Sequence, residues 1–457
     1  MNLSIGDLLQ ISHKQTHKLP TAHKFTNVSS DSRNIKKGDL FVALRGEKFD
    51  GHEFIKVALQ KGAAAAIVDT KWFSKNTKTK LPCIVVRNTL DAFGELALVY
   101  RRKFSIPILV VGGANGKTTT KDLLAHILGS SFNVLKTESN FNNQVGLPQM
   151  LFRLKKSHQL AILEIGTNHP GEIAWLTNVA EPTHALVTNI GREHLEFFKN
   201  LDGVAREELS ALAITEELGG FGFINWDDPY TRAFQEVFEE WSITYGTSKG
   251  ADILAGSRGF DTKGRHLIRV KAGRKEFSVK MQIIADYAPN MVAAAVSVAM
   301  HFNMKMLAIV KALESYRPHS KRMEVVQSKR GVTIINDAYN ANPESFRSGL
   351  ATLARMRTRG KKYVAAGDMF ELGTTSTREH RELGKAMSSY KLSQYFLTGN
   401  AMKHAYKALQ QQKRAAFHGS KEAIIEALKQ QLKPGDIILV KGSRGMRMEN
   451  IVEQLIK

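Results

Sequence analysis

The sequence predicts an α/β protein of three domains: a small α/β N-terminal domain, a central domain with a mostly parallel sheet, and a C-terminal Rossmann-like domain. Three observations carry this. Short apolar runs alternate with helical patterns along most of the 457 residues, and strands separated by helices form parallel sheets covered on both faces. One run, residues 106–111, is largely β-branched and opens into Gly112-Gly113-Ala114-Asn115-Gly116-Lys117 before a helical pattern. A second alternating series starts after Arg317-Pro318, where proline disfavours helix at the residue before it. The expected domains are residues 1–104, 105–316 and 317–457.

In the first domain, Lys37-Gly38-Asp39 precedes a strand at 40–44, which Arg45-Gly46 ends as a turn. Runs 63–68 and 83–86 read as buried strands, and 90–101 has helical spacing. The central domain is expected to contain strand 106–111, helix 118–128, and strands 160–165 and 185–190. Residues 260–279 alternate charged and apolar side chains, which predicts an antiparallel hairpin before a helix at 291–302. The third domain reads as strands 333–335, 363–367, 395–398 and 437–441, interleaved with helices 345–356, 379–387, 421–432 and 448–455. Ligands in such sheets bind at the carboxyl ends of strands, where the polar clusters after 335, 367 and 441 fall.

Composition narrows the class. The hydrophobic fraction of 43% and charged fraction of 24% are ordinary for a soluble protein. A single cysteine, Cys83, excludes an intramolecular disulfide, and no Cys/His cluster exists for structural zinc. The N-terminal residues lack a signal-peptide pattern, and no run approaches ~18 apolar residues. A cytoplasmic protein without membrane insertion is expected. The net charge of +22 invites a nucleic-acid reading. Aromatics make up only 8% and are not interleaved with the basic residues, so no nucleic-acid partner is expected. The charge divides as +9, −1 and +14 over the three expected domains; part of it suits anionic substrates, and the rest is a basic surface without an assigned purpose.

The strongest local signal is Gly113-Ala114-Asn115-Gly116-Lys117-Thr118. Its glycines let backbone N–H groups converge on phosphate oxygens, and the following helix start favours anions. Lys117 can neutralise the β- and γ-phosphates, and Thr118 can hold Mg²⁺. The strict P-loop pattern has glycine at 111, where this chain has valine. A carboxylate must share the metal. Glu164, closing the buried run 160–164, offers one, and a helix cap or surface acid is its other reading. His194 follows strand 185–190 and is read either as a metal ligand or as a structural histidine.

Together, Gly113–Thr120, the strand ending at Glu164 and Asn189-Ile190-Gly191…His194-Leu195-Glu196 resemble the ATP-dependent Mur ligases of peptidoglycan synthesis. Four further segments are similar to the member that adds D-alanyl-D-alanine: residues 140–148 (Asn-Phe-Asn-Asn-Gln-Val-Gly-Leu-Pro), 337–343 (Asp-Ala-Tyr-Asn-Ala-Asn-Pro), 367–373 (Gly-Asp-Met-Phe-Glu-Leu-Gly) and 441–448 (Lys-Gly-Ser-Arg-Gly-Met-Arg-Met). Asp31-Ser32-Arg33 and the stretch 38–46 fit as well, so the resemblance spans all three domains. The loop alone would also fit folylpolyglutamate synthases and other Mur ligases. The Asp-Asn-Pro-Arg motif of the enzyme adding the third peptide residue is absent.

The resemblance implies a monomeric ligase that joins D-alanyl-D-alanine to UDP-N-acetylmuramoyl-tripeptide through an acyl phosphate, using ATP and two Mg²⁺ ions. This would be the last cytoplasmic step toward the pentapeptide precursor of the cell wall. It implies that Gly113, Ala114, Asn115, Gly116, Lys117, Thr118 and Thr119 hold the ATP phosphates, with Lys117 on the γ-phosphate. Thr118, Glu164 and His194 would hold metal. Asn290 and Arg322 would contact base and ribose, Asp337 would lie near ATP, and Tyr339 and Asn340 would flank the site. Ser32, Arg33, Arg45 and Gly46 would face the uridine nucleotide, and Asn142 and Asn143 the sugar and peptide. Asn342, Ser443 and Arg444 would organise the dipeptide. Two departures stand out. Most members carry a carbamylated lysine fourteen residues after the motif histidine, and this chain has Glu208 there. Glu208 either supplies a permanent carboxylate in place of the carbamate or is a solvated acid on a displaced helix. Glu207 cannot point the same way, because one helical position turns a side chain by ~100°. Ile284-Ala285-Asp286 replaces the usual Gly-x-His before Asn290. The base that deprotonates the amine is unassigned among Glu344, His380 and His194.

Overall fold

The computed structural model describes residues 1, 3–19, 24–46, 49–238, 240–261, 264–318, 321–409 and 414–457. Three large sheets organise the described residues, beside a two-stranded antiparallel pair of Leu3–Ser4 and Lys24–Phe25. The first runs Gln15–His17, Cys83–Val86, Ala65–Asp69, Leu40–Val42, Val28–Ser29, all parallel except Gln15–His17. Its apolar runs are buried along their whole length. Helix Thr89–Arg101 starts at Asn88, whose side chain accepts from the N–H groups of Leu90 and Asp91. The helix buries Phe93, Leu96, Ala97 and Tyr100 and packs on helices Gly146–Leu151 and Glu172–Ala180 of the central domain. Gly94 permits that approach: a Cβ there would lie 2.4 Å from the Trp175 ring.

The central sheet has nine strands, from Val134–Lys136 at one edge through Leu160–Glu164, Ile108–Gly112, His184–Val187, Phe221–Asn225, Ser242–Gly246 and Ile253–Phe260 to His266–Ala272 and Lys275–Met281. The first seven are parallel, and the last two complete an antiparallel meander with Ile253–Phe260. The expected antiparallel hairpin is formed by His266–Ala272 and Lys275–Met281, and Ile253–Phe260 adds a third strand before it. Gly256 and Gly259 break the apolar alternation of that added strand, and its register shifts between Ser257 and Phe260. Ile108–Gly112 lies between Leu160–Glu164 and His184–Val187, so the chain order reverses beside it and opens a crevice at the strand ends.

The third sheet runs Glu324–Gln327, Thr333–Asp337, Ile437–Lys441, Lys362–Ala366, Gln394–Leu397, Ala415–Phe417, parallel except for Glu324–Gln327. Strand Thr333–Asp337 runs two residues beyond the expected 333–335. Asn336 and Asp337 pair with Val440 and Lys441, and the Lys441 ammonium donates to Asp337 at 2.6 Å. A polar pair at a strand end is held here by a cross-strand ion pair.

At the opposite, amino end of the central sheet, His184 and His301 pack among Phe221, Phe223 and Phe302 with their Nε2 atoms 2.9 Å apart. Burial, and to a lesser degree His301, pushes the His184 pKa down to about 4; burial lowers His301 too. An unfolded histidine titrates near ~6.5. Between that pH and about 4 the unfolded chain takes up a proton that the folded chain refuses, so stability falls as the pH drops. The loss reaches about 3 kcal/mol for His184 once complete. The urea midpoint of a His184→Phe variant is expected to fall less between pH 7 and 4.5 than that of the parent. Equal falls would contradict this.

Candidate active site

The strand Ile108–Gly112 delivers the chain into a loop shaped by the end of its neighbour. Gly113 has φ +108, and a Cβ on it would lie 2.4 Å from Thr188 Oγ1, so both backbone and space require glycine. The Ala114 N–H donates to the Asn189 carbonyl (2.8 Å) and the Asn115 N–H to Asn189 Oδ1 (3.1 Å). Thr188 Oγ1 and Asn189 Nδ2 both donate to the Asn115 carbonyl at 2.8 Å. Gly116, at φ +83, then starts helix Lys117–Leu128.

Acidic side chains surround Lys117. Its ammonium lies 3.5 Å from Glu193 Oε1 and 3.9 Å from Glu208 Oε1. Burial works against its charge, but Glu193, Glu208 and Glu164 outweigh it and hold the Lys117 pKa above the ordinary lysine value. Burial drives the Glu193 carboxyl well above the usual range; Lys117 opposes this and the Glu208 carboxylate adds to it. The long helix Leu201–Glu217, capped by Asn200, brings Glu208 in fully buried, and its Oε2 accepts from the Gly113 N–H at 2.6 Å. Glu208 is thus not a solvated acid. Glu207 turns away and accepts from the N–H groups of Gly171 and Ile173, both at 2.8 Å, at the start of helix Glu172–Ala180.

On the other side of Lys117, Thr118 Oγ1 and Asn142 Nδ2 donate to Glu164 Oε1 at 2.9 and 3.0 Å. Lys121 is buried beneath, donating to the Thr137 carbonyl at 2.8 Å and lying 3.9 Å from Glu164 Oε2. Glu164 Oε2, Glu193 Oε1 and Glu208 Oε1 are buried without hydrogen-bond partners. The buried oxygens of Glu164 and Glu208 fit a hard cation, whereas burial favours the protonated form of Glu193. Among the described residues no three acidic, His or Cys side chains form a complete metal cage. A partial donor set suits Mg²⁺, which keeps waters and takes substrate phosphates as ligands.

The third domain closes the site. A cavity of about 620 Å³ is lined by Asn115, Gly116, Lys117, Thr118 and Thr119 together with Asn142, Asn143, Glu164, His194, Arg322, Asp337, Tyr339, Asn340 and Asn342. The Arg322 guanidinium lies 3.8 Å from the centre of the Tyr339 ring. Asn342 Nδ2 donates to Asn115 Oδ1 at 2.9 Å, linking the expected dipeptide segment to the phosphate loop. Arg192 donates to both oxygens of Glu344, at 2.8 Å from its side chain and 3.0 Å from its N–H. His194 Nδ1 lies 2.7 Å from Glu371 Oε2, a contact that holds the Glu371 carboxyl below its usual range despite burial.

Several expected residues lie outside that cavity. Asn290 donates at 2.9 Å to both Asn225 Oδ1 and Asp227 Oδ2. The Ser443 hydroxyl is held between the Phe370 N–H (2.8 Å) and the Ala341 carbonyl (3.3 Å), joining two loops. Arg444 pairs with Glu449 at 2.8 Å. Ser32, Arg33, Arg45 and Gly46 belong to the first domain; Arg33 is exposed on Asp31, and Arg45 is held by Asp69 and Asp50. The first domain touches the central one beside Asn142 and Asn143, where Gln149 Nε2 donates to Ser30 Oγ at 3.2 Å. Two candidate bases are already engaged. Glu344 holds Arg192. His380 is fully buried, with Nε2 accepting from the Met369 N–H and Nδ1 2.8 Å from the Ser376 carbonyl. Sequence reasoning passed over Glu193 and Glu371, although both lie inside segments it singled out.

Comparison with known proteins agrees with this layout. The Mur ligase family catalytic domain matches residues 24–101, the Mur ligase middle domain 111–298, and the Mur ligase glutamate ligase domain 321–444. The UDP-N-acetylmuramoyl-tripeptide–D-alanyl-D-alanine ligase of Bacillus subtilis is 32% identical over 438 residues, covering 94% of this chain and 93% of that protein. A crystal structure of MurF from Acinetobacter baumannii superposes with a TM-score of 0.89 at 27% identity, over 100% of this chain and 99% of that one. MurF ligase from Thermotoga maritima in complex with ADP gives 0.84 at 28% identity, over 94% and 97%. With the likeness running through all three domains and the phosphate loop among its shared parts, the chain belongs to the Mur ligase family.

Proposed function

We infer that the chain is an ATP-dependent ligase forming the amide bond between UDP-N-acetylmuramoyl-tripeptide and D-alanyl-D-alanine, the last cytoplasmic step toward the pentapeptide precursor of peptidoglycan. The observation that carries this reading is the single cavity in which the phosphate loop meets the 337–343 segment, joined by the Asn115–Asn342 hydrogen bond. We assign residues 1–104 to the UDP-bearing substrate, 105–316 to ATP, and 317–457 to the dipeptide and to closure over ATP. We propose that it acts as a monomer.

A carboxylate is a poor electrophile, and joining it to an amine in water is uphill. Transfer of the ATP γ-phosphoryl group gives an acyl phosphate and ADP; the amine nitrogen then attacks the acyl carbon and phosphate leaves. Such transfer needs positioning and charge neutralisation. Lys117 neutralises the γ-phosphate, while the loop N–H groups and the start of helix Lys117–Leu128 orient the chain of phosphates. Thr118, Glu164, His194 and Glu208 would hold two Mg²⁺ ions, which when bound offset the charge of the phosphates and the incoming carboxylate. Arg192–Glu344 and Asn115–Asn342 keep the third domain docked, which excludes water from the acyl phosphate. Among the described residues no helix is long and apolar enough to cross a membrane, and we propose that the reaction takes place in the cytoplasm.

Phosphate release assayed with a panel of acceptors tests the reading. Release is expected with UDP-N-acetylmuramoyl-tripeptide and D-alanyl-D-alanine together, and to be at least about 100-fold slower when either is replaced. Turnover with glutamate in place of the dipeptide would overturn it.

A further inference from the structure

We propose that the amino end of the third sheet is a docking surface for an anionic phospholipid bilayer, set opposite the ATP site. The inference goes beyond the ligase reading and does not rest on it. Topology gathers the charge. Strands Thr333–Asp337, Ile437–Lys441 and Lys362–Ala366 are adjacent and parallel, and Thr333 and Lys362 both pair with Ile437, so the three begin level with one another. The loop before each is basic: Lys329 and Arg330 lead into the first, Lys433 into the second, and Arg357, Arg359 and Lys361 into the third. All six are exposed. Among the described residues none of them pairs with an acidic side chain.

The acid within these loops, Asp436, is 3% exposed and accepts from the N–H groups of Lys361 and Lys433 at 2.7 and 2.8 Å, which clamps two of the loops together. Arg330 reaches across to the Lys429 and Leu432 carbonyls at 2.7 and 3.4 Å. Helices Pro343–Arg355, Lys421–Gln431 and Glu449–Ile456 end at this face, and their carbonyl ends attract cations. Three such ends supply roughly −0.5 each, too little to account for six cations. Glu426 and Glu453 lie one turn before two of these ends; Glu426 pairs with Lys429 at 3.3 Å. The face therefore keeps a positive excess, and it lies in the domain that carries +14 of the net charge.

The surroundings select a lipid surface. A cavity of about 390 Å³ lies in the same face, walled by Val332, Leu428, Leu432 and Leu455 with Arg330 and Lys429 beside them. Cations around an apolar recess match the headgroup and chain of an anionic amphiphile. Single-stranded nucleic acid would take aromatic platforms, and loops 328–332, 356–361 and 432–436 contain no Phe, Tyr or Trp. Asp337 and Lys441, at the carboxyl ends of the same strands, line the ATP cavity. Docking face and cavity are thus one strand length apart, roughly 15 Å, and the bound protein keeps its site open to solution.

The test is cosedimentation of the full-length protein with vesicles of phosphatidylcholine, alone or with about 30% phosphatidylglycerol, at ~0.1 M salt. The parent is expected to bind the anionic vesicles at least about 30-fold more tightly than the neutral ones. Arg357→Gln, Arg359→Gln and Lys361→Gln together should weaken that binding by roughly 100-fold, at about fivefold per charge. These side chains are exposed, and an unchanged thermal midpoint would show that the variant folds. A control removes the same charge from exposed lysines of the first domain, Lys56→Gln, Lys75→Gln and Lys78→Gln. It should stay within about threefold of the parent, because remote charges are screened. Equal losses in the two triple variants would overturn the proposal by making binding a property of net charge alone. A parent without preference for the anionic vesicles would overturn it too. Displacement from the vesicles by a DNA duplex at equal phosphate concentration would assign the face to nucleic acid instead.

Discussion

Replacement of Lys117 by methionine is expected to lower kcat for ligation by roughly 10²–10³-fold, the usual consequence of removing one preorganised group from developing charge in a dry site. The ammonium is held close to Glu193 and Glu208 and kept charged by them and by Glu164, so it presents fixed charge without reorganising. Methionine fills similar space but leaves the two acids without their counter-ion. An uncompensated buried charge costs roughly 3–5 kcal/mol. Glu193 offers a way out, because burial and Glu208 already favour its protonated form; taking up one proton neutralises the acid while the fold persists. The thermal midpoint of Lys117→Met should therefore fall by only a few degrees at neutral pH and fall further at alkaline pH, where that proton is harder to keep. Steady-state kinetics and differential scanning calorimetry check both parts. A kcat within threefold of the parent would remove Lys117 from the chemistry.

The second large effect concerns Glu208. Its Oε2 shapes the loop through the Gly113 N–H, and its Oε1 is a buried acceptor without a partner. Glu208→Ala removes both functions and is expected to lower kcat by about 10²-fold or more. Glu208→Gln keeps an acceptor for Gly113 but no charge, so its loss measures the charge alone. Glu208→Lys is the most informative variant. Its amine can add CO₂, forming a C–N bond and releasing a proton, which restores an anionic oxygen pair at this site. Activity of Glu208→Lys is expected to rise with added bicarbonate, whereas the Ala variant stays unresponsive. An unimpaired Ala variant would show that Glu208 holds no metal.

Much of the site could be read from local patterns. A β-branched strand, three glycines and Lys117 lie within a dozen residues, and strands 83–86 and 437–441 have the same bounds in sequence pattern and structure. Glu208 was legible only through its spacing from His194, and no local pattern distinguishes it from Glu207. Their separation arises in space: one meets the Gly113 N–H, the other the start of a different helix. Glu193 and Glu371 gain their meaning from partners contributed by other elements, Lys117 and His194. Strands Phe221–Asn225 and Ser242–Gly246 were missed because Gly222 and Thr244 interrupt their apolar character; pairing on both sides makes them strands. Arg45, given a uridine-nucleotide contact by the family resemblance, also has partners that no local pattern shows: Asp50 and Asp69 hold its guanidinium.

The central claim is that ATP activates the tripeptide carboxylate, and transfer of an oxygen label tests it most directly. UDP-N-acetylmuramoyl-tripeptide carrying ¹⁸O in its terminal carboxylates is incubated with ATP, Mg²⁺ and D-alanyl-D-alanine, and the released phosphate is analysed by mass spectrometry. An acyl phosphate requires one carboxylate oxygen to leave with phosphorus, so the phosphate should carry one ¹⁸O for each pentapeptide formed. Phosphate without ¹⁸O, released at the same rate as pentapeptide appears, would contradict the account.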